Sequence, residues 1–188
     1  FVFEDFSREA RLWLLRAAIY GDRLTKSGIG YSHELDRVVL PVFDEYGVLV
    51  FYQLRKISER DLGPKYLAPA VDKATLTYAK SPESSHGQVH GVVVVVEDIL
   101  STIRVGEHVH TVCLLGTSLS DAQAAYLSQF DHVLTWLDND AGGDKGRAHV
   151  QRKMQLVSDV THIRTDLDPK EYSNKDIRKT LCQNYPII

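Results

Sequence analysis

Methionine occurs once in the 188-residue chain, at Met154, and cysteine twice, at Cys113 and Cys182. With no initiator, the expectation is a segment of a longer protein. Two cysteines are too few to staple a small domain. Cys113 lies within the apolar run TVCLL and reads as a reduced, buried thiol of a cytoplasmic protein. No apolar run approaches the roughly 18 residues needed to cross a bilayer. The longest, Gly91–Val96, has the length of a strand, and the acids Glu4 and Asp5 precede any apolar stretch, so neither a membrane span nor a signal peptide is expected. There is no Cys-x-x-Cys or Cys-x-x-His spacing. The eight histidines form no ligand pattern, and His108 and His110 read as surface or packing residues. Net charge is −3, which argues against a purely electrostatic nucleic-acid binder. Acids and bases balance over residues 1–88, whereas acids outnumber bases over 89–188, as expected where carboxylates await a cation.

Two regions with different rhythms are present. In the first, Ser7 followed by REARLWLLRAAIY predicts a capped helix with Leu12, Leu15, Ala18 and Ile19 at helical spacing. RVVLPVF (37–43), a turn from Asp44 to Gly47, and VLVFYQLR (48–55) predict a hairpin. Polar loops carrying Gly63, Pro64, Pro69 and Pro82 follow, and a boundary is expected near Gly87, giving domains 1–88 and 89–188. From Gly91 strands and helices alternate. VVVVV (92–96) is apolar on both faces, the mark of a central parallel strand. A helix from Asp98 to about Val105, strand 111–115, a helix opened by the capping box Ser120–Gln123, strand 132–137, helix 142–156, strand 160–163 and a last helix 173–182 complete the pattern. The fold class is α/β, a parallel sheet flanked by helices and preceded by a smaller α+β lobe.

Ligands of such sheets bind beyond the carboxyl ends of the strands. Those ends read Val96-Glu97-Asp98, Leu115-Gly116-Thr117-Ser118 and Leu137-Asp138-Asn139-Asp140. Asp138 and Asp140 share a side if strand geometry persists, and Glu97 leaves a neighbouring strand at the same level. Three carboxylates there suit Mg²⁺, which takes a few oxygens and keeps waters for phosphate substrates. Asp-Asn-Asp before glycine is also good turn sequence, so spacing alone leaves a solvated acidic loop open. Gly116-Thr117-Ser118 before a capped helix can hold phosphate. GGDKGR (142–147) lacks the P-loop spacing and reads as a helix entrance, with Lys145 and Arg147 facing phosphates.

Taken in order, VVVVVED (92–98), LLGTS (114–118) and LDNDAGGDKGR (137–147) resemble the Toprim domain of primases, topoisomerases and some nucleases. GIGYSHELDRVVLPVFDEYGVLVFYQLR (28–55) with GPKYLAP (63–69) is similar to the basic subdomain preceding Toprim in DnaG-type and phage primases. The resemblance runs from about Thr25 to Leu181 and implies a Toprim-type sheet behind a basic lobe. By motif match, Glu97, Asp138 and Asp140 become catalytic metal ligands for Mg²⁺ or Mn²⁺, joined by Asp168 of Asp168-Pro169. Arg37, Arg55 and Lys65 become contacts to nucleotide or nucleic acid, alongside Gly116, Thr117, Ser118, Lys145 and Arg147. Three positions depart from the family pattern: Asp98 stands for its glycine, Ser101 for an aspartate and Lys170 for the second acid of the Asp-Pro pair. Asp98 and Glu171 are the residues placed to compensate.

The resemblance implies DNA-dependent RNA primer synthesis in replication, with two Mg²⁺ ions serving nucleotidyl transfer. The implied partners are a single-stranded DNA template, ribonucleoside triphosphates and the RNA–DNA duplex. A helicase and a template-recognition module are expected outside this segment, with no membrane partner and a cytoplasmic location, in a bacterium or a phage-infected host. Two other readings stay open: a Toprim nuclease or phosphodiester-transfer enzyme, and a degenerate Toprim module that binds nucleic acid or docks a partner.

Overall fold

The structure is a computed structural model describing residues 3–44, 46–58, 61–83 and 91–185. Internal packing divides the chain into two units, the first ending at Val71 and the second beginning at Asp72. The boundary expected near Gly87 lies outside the described residues. The division falls earlier because Tyr78–Lys80 pairs with a strand of the second sheet, so these residues leave the first lobe to which 1–88 assigned them.

In the first unit, Ser7 accepts the N–H of Ala10 and opens α1 (Arg8–Arg16). The helix stops short of the expected Tyr20, because Ala18 takes a left-handed φ of 53° and the chain turns to bury Ile19. A short α2 (Asp22–Ser27) leads into an antiparallel sheet of order β1-β2-β3-β4: Gly30–Ser32, Arg37–Phe43, Leu49–Lys56 and Tyr66–Leu67. The expected hairpin is β2–β3, in register Leu40↔Gln53. Asp44 Oδ1 holds its turn through the N–H groups of Tyr46 and Val48. Val38, Leu40, Val42 and Phe51 are buried, as alternation along the hairpin requires. The two-residue β4 carries too little pattern to be read from sequence.

The second unit holds a five-stranded sheet of order β5-β7-β6-β8-β9, where β5 is Tyr78–Lys80, β6 Val92–Val96, β7 Thr111–Cys113, β8 His132–Thr135 and β9 Asp159–His162. β5 is antiparallel to β7 and the other pairs are parallel, so the expected α/β class holds. Helices α3 (Ile99–Gly106), α4 (Asp121–Leu127), α5 (Ala141–Met154) and α6 (Asn174–Asn184) lie between and after the strands.

All five valines of β6 are buried. Val93 and Val95 join Leu127, Phe130, Val150 and Met154 on one face, whereas Val92, Val94 and Val96 join Val105, Trp136, Ile177 and Leu181 on the other. An apolar run without alternation is what a strand covered on both faces demands. Each fully buried valine contributes about 1.5–3 kcal/mol, so one charge placed in β6 would cost the unit much of its stability. Cys113 is the buried free thiol expected, and His110 packs on Phe130 while its Nε2 bonds the Tyr126 hydroxyl. With β6 at the centre of the parallel set, the residues leaving β7, β6 and β8 meet at one sheet edge.

Candidate metal centre

Glu97 leaves β6 half-buried, and its Oε1 accepts the backbone N–H of Asp138 at 3.1 Å, which ties the end of β8 to the end of β6. Burial, then the charge of Asp138 and, more weakly, of Asp140 and Asp98, push the Glu97 carboxyl up to about 7; the hydrogen bond from Asp138 pulls the other way. Asp138 is pushed up to about 6, again first by burial. Lys170 draws it down, and Asp168, Asp98 and Asp140 raise it. Two partly desolvated carboxylates held this close store repulsion that a cation relieves.

The first turn of α5 is built against this pair. A Cβ on Gly143 would lie 1.9 Å from the Asp138 carbonyl oxygen and 3.1 Å from Glu97 Oε1, so only glycine lets the helix approach. Asp140 is the N-cap of α5 and accepts the Gly143 N–H at 2.8 Å. The Gly116 N–H donates to the Glu97 carbonyl at 3.2 Å, at a φ of 153° that favours glycine. Thr117 sits against the same helix turn, its carbonyl 3.0 Å from where a Gly146 Cβ would stand. Ser118 is exposed beside it, and the amides of Ser120 and Gln123 are taken by the capping box that opens α4.

All three departures from the motif pattern meet in one network. Asp98 Oδ1 accepts the N–H groups of Leu100 and Ser101, and its Oδ2 accepts the Ser101 hydroxyl at 2.7 Å and the Lys170 ammonium at 3.1 Å. Lys170 also donates to Asp168 at 2.7 Å. Burial disfavours its charge, but Asp98, Asp168 and Asp138 outweigh that and raise it above the ordinary lysine range. Glu171 accepts the Asp168 N–H at 3.1 Å. Among the described residues no three acidic, histidine or cysteine side chains form a ready cage. The all-oxygen donor set and the unrelieved charge of Glu97 and Asp138 fit a hard divalent cation, with Asp140 available once it leaves its cap. Asp98 and Asp168 already share the Lys170 ammonium.

Two of the expected nucleic-acid contacts are buried. Arg147 is 2% exposed; it donates to the carbonyls of Leu137 and Asp138 and pairs with Asp144, so it shapes the strand end instead of facing phosphate. Arg37, also 2% exposed, donates to the carbonyls of Leu54 and Pro64 and pairs with Asp61. In both cases the polar groups of nearby turns claim the guanidinium first. Lys145 and Lys65 are exposed. Within the first unit, Arg55 lies over the rings of Trp13 (5.5 Å) and Tyr66 (5.2 Å), in a cavity of about 550 Å³ lined also by Arg16, Lys56 and Lys65. Its Nε and Nη1 have no hydrogen-bond partner among the described residues.

Sequence reasoning missed Arg104. From the buried α3 it donates to the Tyr172 carbonyl at 2.7 Å, Asn174 Oδ1 at 2.9 Å and the Lys170 carbonyl at 3.4 Å, fixing the segment that delivers Lys170. The available signal was one charged residue in an otherwise uncharged helix, ILSTIRVG.

Residues 94–173 match the Toprim-like family model. No curated protein matches the chain in sequence. Solved structures with the same fold include the zinc-binding and RNA polymerase domains of the Aquifex aeolicus primase, at a TM-score of 0.73, 20% identity and 94% coverage of this chain. The RNA polymerase domain of Mycobacterium tuberculosis primase DnaG gives 0.74 at 16% identity, over 95% of this chain and 77% of that one. A DnaG primase catalytic domain bound to single-stranded DNA gives 0.70 at 16% identity, over 95% and 72%. This chain spans 56% of the length of that Aquifex chain. Residues 94–173 are thus similar to Toprim-like domains, and the chain has the fold of DnaG primase catalytic cores.

Proposed function

We propose that the chain is the polymerising core of a primase, which builds RNA primers on single-stranded DNA by nucleotidyl transfer. The observation that carries the reading is the partly buried pair Glu97 and Asp138, held at adjacent strand ends with charge that calls for a cation. Glu97, Asp138 and Asp140 are the residues that would hold Mg²⁺ or Mn²⁺. A bound divalent cation supplies positive charge for activating a primer 3′-hydroxyl and for the departing pyrophosphate. The chain's own residues orient: Arg147 holds the backbone of Asp138, Gly143 admits the helix, and the Gly116–Ser118 turn lies beside the acids. Arg55 and Lys65, with Lys145 on the second unit, offer exposed or unpaired cations to the triphosphate and the nucleic-acid backbone. A similar structure binds single-stranded DNA, which supports template binding here.

The test is primer synthesis from labelled ribonucleotides on single-stranded DNA, by the chain and by the longer protein containing it. Asp138→Ala with Asp140→Ala should abolish Mg²⁺-dependent products and leave circular dichroism unchanged. Normal primer yield from the double variant overturns the reading, and strand cleavage without incorporation replaces it with a nuclease.

A further inference from the structure

We infer that the acidic centre is shared between a resident ammonium and a single exchangeable divalent ion, with Lys170 filling the half formed by Asp98 and Asp168. The inference rests on the proposal that the centre takes a metal. It starts from hydrogen-bond capacity. A carboxylate offers about four lone-pair sites. Asp98 uses four: two for the amides of Leu100 and Ser101, one for the Ser101 hydroxyl and one for Lys170. Nothing is left for a metal. Asp168 gives an oxygen to Lys170 at 2.7 Å, with the lysine side chain only 20% exposed.

The other half is open. The Glu97 carboxylate accepts one hydrogen bond, from the Asp138 N–H, and the Asp138 carboxylate accepts none among the described residues. These two groups, with Asp140 joining from its cap, can coordinate one ion. A second divalent cation at Asp98 and Asp168 would have to expel the ammonium and break the cap of α3. It would also meet a charge of its own sign if Lys170 stayed nearby.

The ammonium is delivered by a fixed backbone. Arg104, itself 2% exposed, grips the carbonyls of Lys170 and Tyr172 and the side chain of Asn174, so the segment after Asp168 is anchored from α3. Ser101 completes the arrangement, since its hydroxyl satisfies the Asp98 oxygen that also takes Lys170.

The experiment counts ions. Mn²⁺ binding to the whole chain, read from the spectrum of free Mn²⁺ by electron paramagnetic resonance, should saturate at one ion per chain. Lys170→Asp should raise the number to two. Lys170→Gln, which keeps a donor without the charge, should keep one ion and tighten it at least about fivefold as the repulsion is lost. Thermal melts establish that each variant is folded, and the glutamine variant carries the test if the aspartate variant is not. Two ions on the unaltered chain overturn the inference. So does a folded Lys170→Asp chain with one ion, or a Lys170→Gln chain with unchanged affinity. An unaltered chain that binds none removes the metal-dependent function itself, a failure distinct from the other three.

Discussion

Glu97 receives the Asp138 N–H at 3.1 Å through a carboxylate whose charge the surroundings resist. One carboxylate therefore joins two strands and stores repulsion. Glu97→Gln separates the roles, because the amide oxygen still accepts the hydrogen bond and the charge is gone. In metal-free buffer near pH 8 the variant should be more stable than the parent by about 1 kcal/mol, a figure discounted for the half-exposed site. That corresponds to a rise in Tm of about 2–4 °C for a chain of this size. Mg²⁺ should raise the parent's Tm and leave the variant's unchanged. A lower Tm for the metal-free variant would show that the hydrogen bond needs the charge.

The pH dependence has a definite sign. Folding raises both carboxyls, Glu97 to about 7 and Asp138 to about 6, so the folded state holds their protons more tightly than the unfolded chain. The stability they lend is complete below the ordinary carboxylate range and is lost as pH rises through about 6 and about 7. Urea midpoints in EDTA should therefore fall across this window by more than in the Glu97→Gln, Asp138→Asn double variant. Protons and metal compete for the same oxygens, so Mg²⁺ affinity should strengthen over the same rise. Equal slopes for parent and double variant would remove these two groups as its source.

Much of this was legible in the sequence, for identifiable reasons. β6 announced itself because five consecutive valines fit only a strand covered on both faces. Glu97, Asp138 and Asp140 stood out at strand ends, and the family resemblance made them candidates for metal ligands. The burial of Arg37 and Arg147 was not legible, because a basic residue near a motif looks the same whether it faces solvent or a backbone carbonyl. Only packing shows that both are buried. β5 was hidden among polar loops, since a three-residue edge strand has no period to detect. The Lys170 network joins positions 98, 101 and 170, a spacing that local pattern cannot connect.

The close approach of α5 makes Gly143 a sensitive position. Gly143→Ala would set a methyl 1.9 Å from the Asp138 carbonyl, and the obstacle is backbone, which cannot rotate away. The cost should be about 2–3 kcal/mol, the upper part of the range for overpacking. Gly142→Ala meets Asp140 Oδ1 at 3.1 Å and a Thr117 methyl at 3.4 Å, side-chain atoms able to yield, and should cost less than about 1 kcal/mol. Chemical denaturation of the two variants decides the matter, and equal losses would mean that α5 is free to shift.

Arg37 and Arg55 carry the same charge in the same unit and should fail in different ways. Arg37 is buried and donates to the carbonyls of Leu54 and Pro64 and to Asp61. Arg37→Ala removes a donor from each of the three, leaving the Asp61 carboxylate with the Gly63 N–H, and should destabilise the protein by about 3 kcal/mol, as expected on breaking a buried ion pair. Arg55 lies over Trp13 and Tyr66 with two guanidinium nitrogens lacking acceptors, so its removal loses only cation–π contacts worth about 0.5–1 kcal/mol each. Its effect should appear in binding. Fluorescence anisotropy with labelled single-stranded DNA over a KCl series should show Arg55→Ala weakened at every salt concentration. The slope of log affinity against log salt should be shallower by about 0.7, the value for one phosphate contact on a single strand. At temperatures where Arg37→Ala remains folded, it should bind with the parent's slope. If Arg37→Ala loses the slope and Arg55→Ala keeps it, the phosphate contact belongs to the buried residue and the two roles are exchanged.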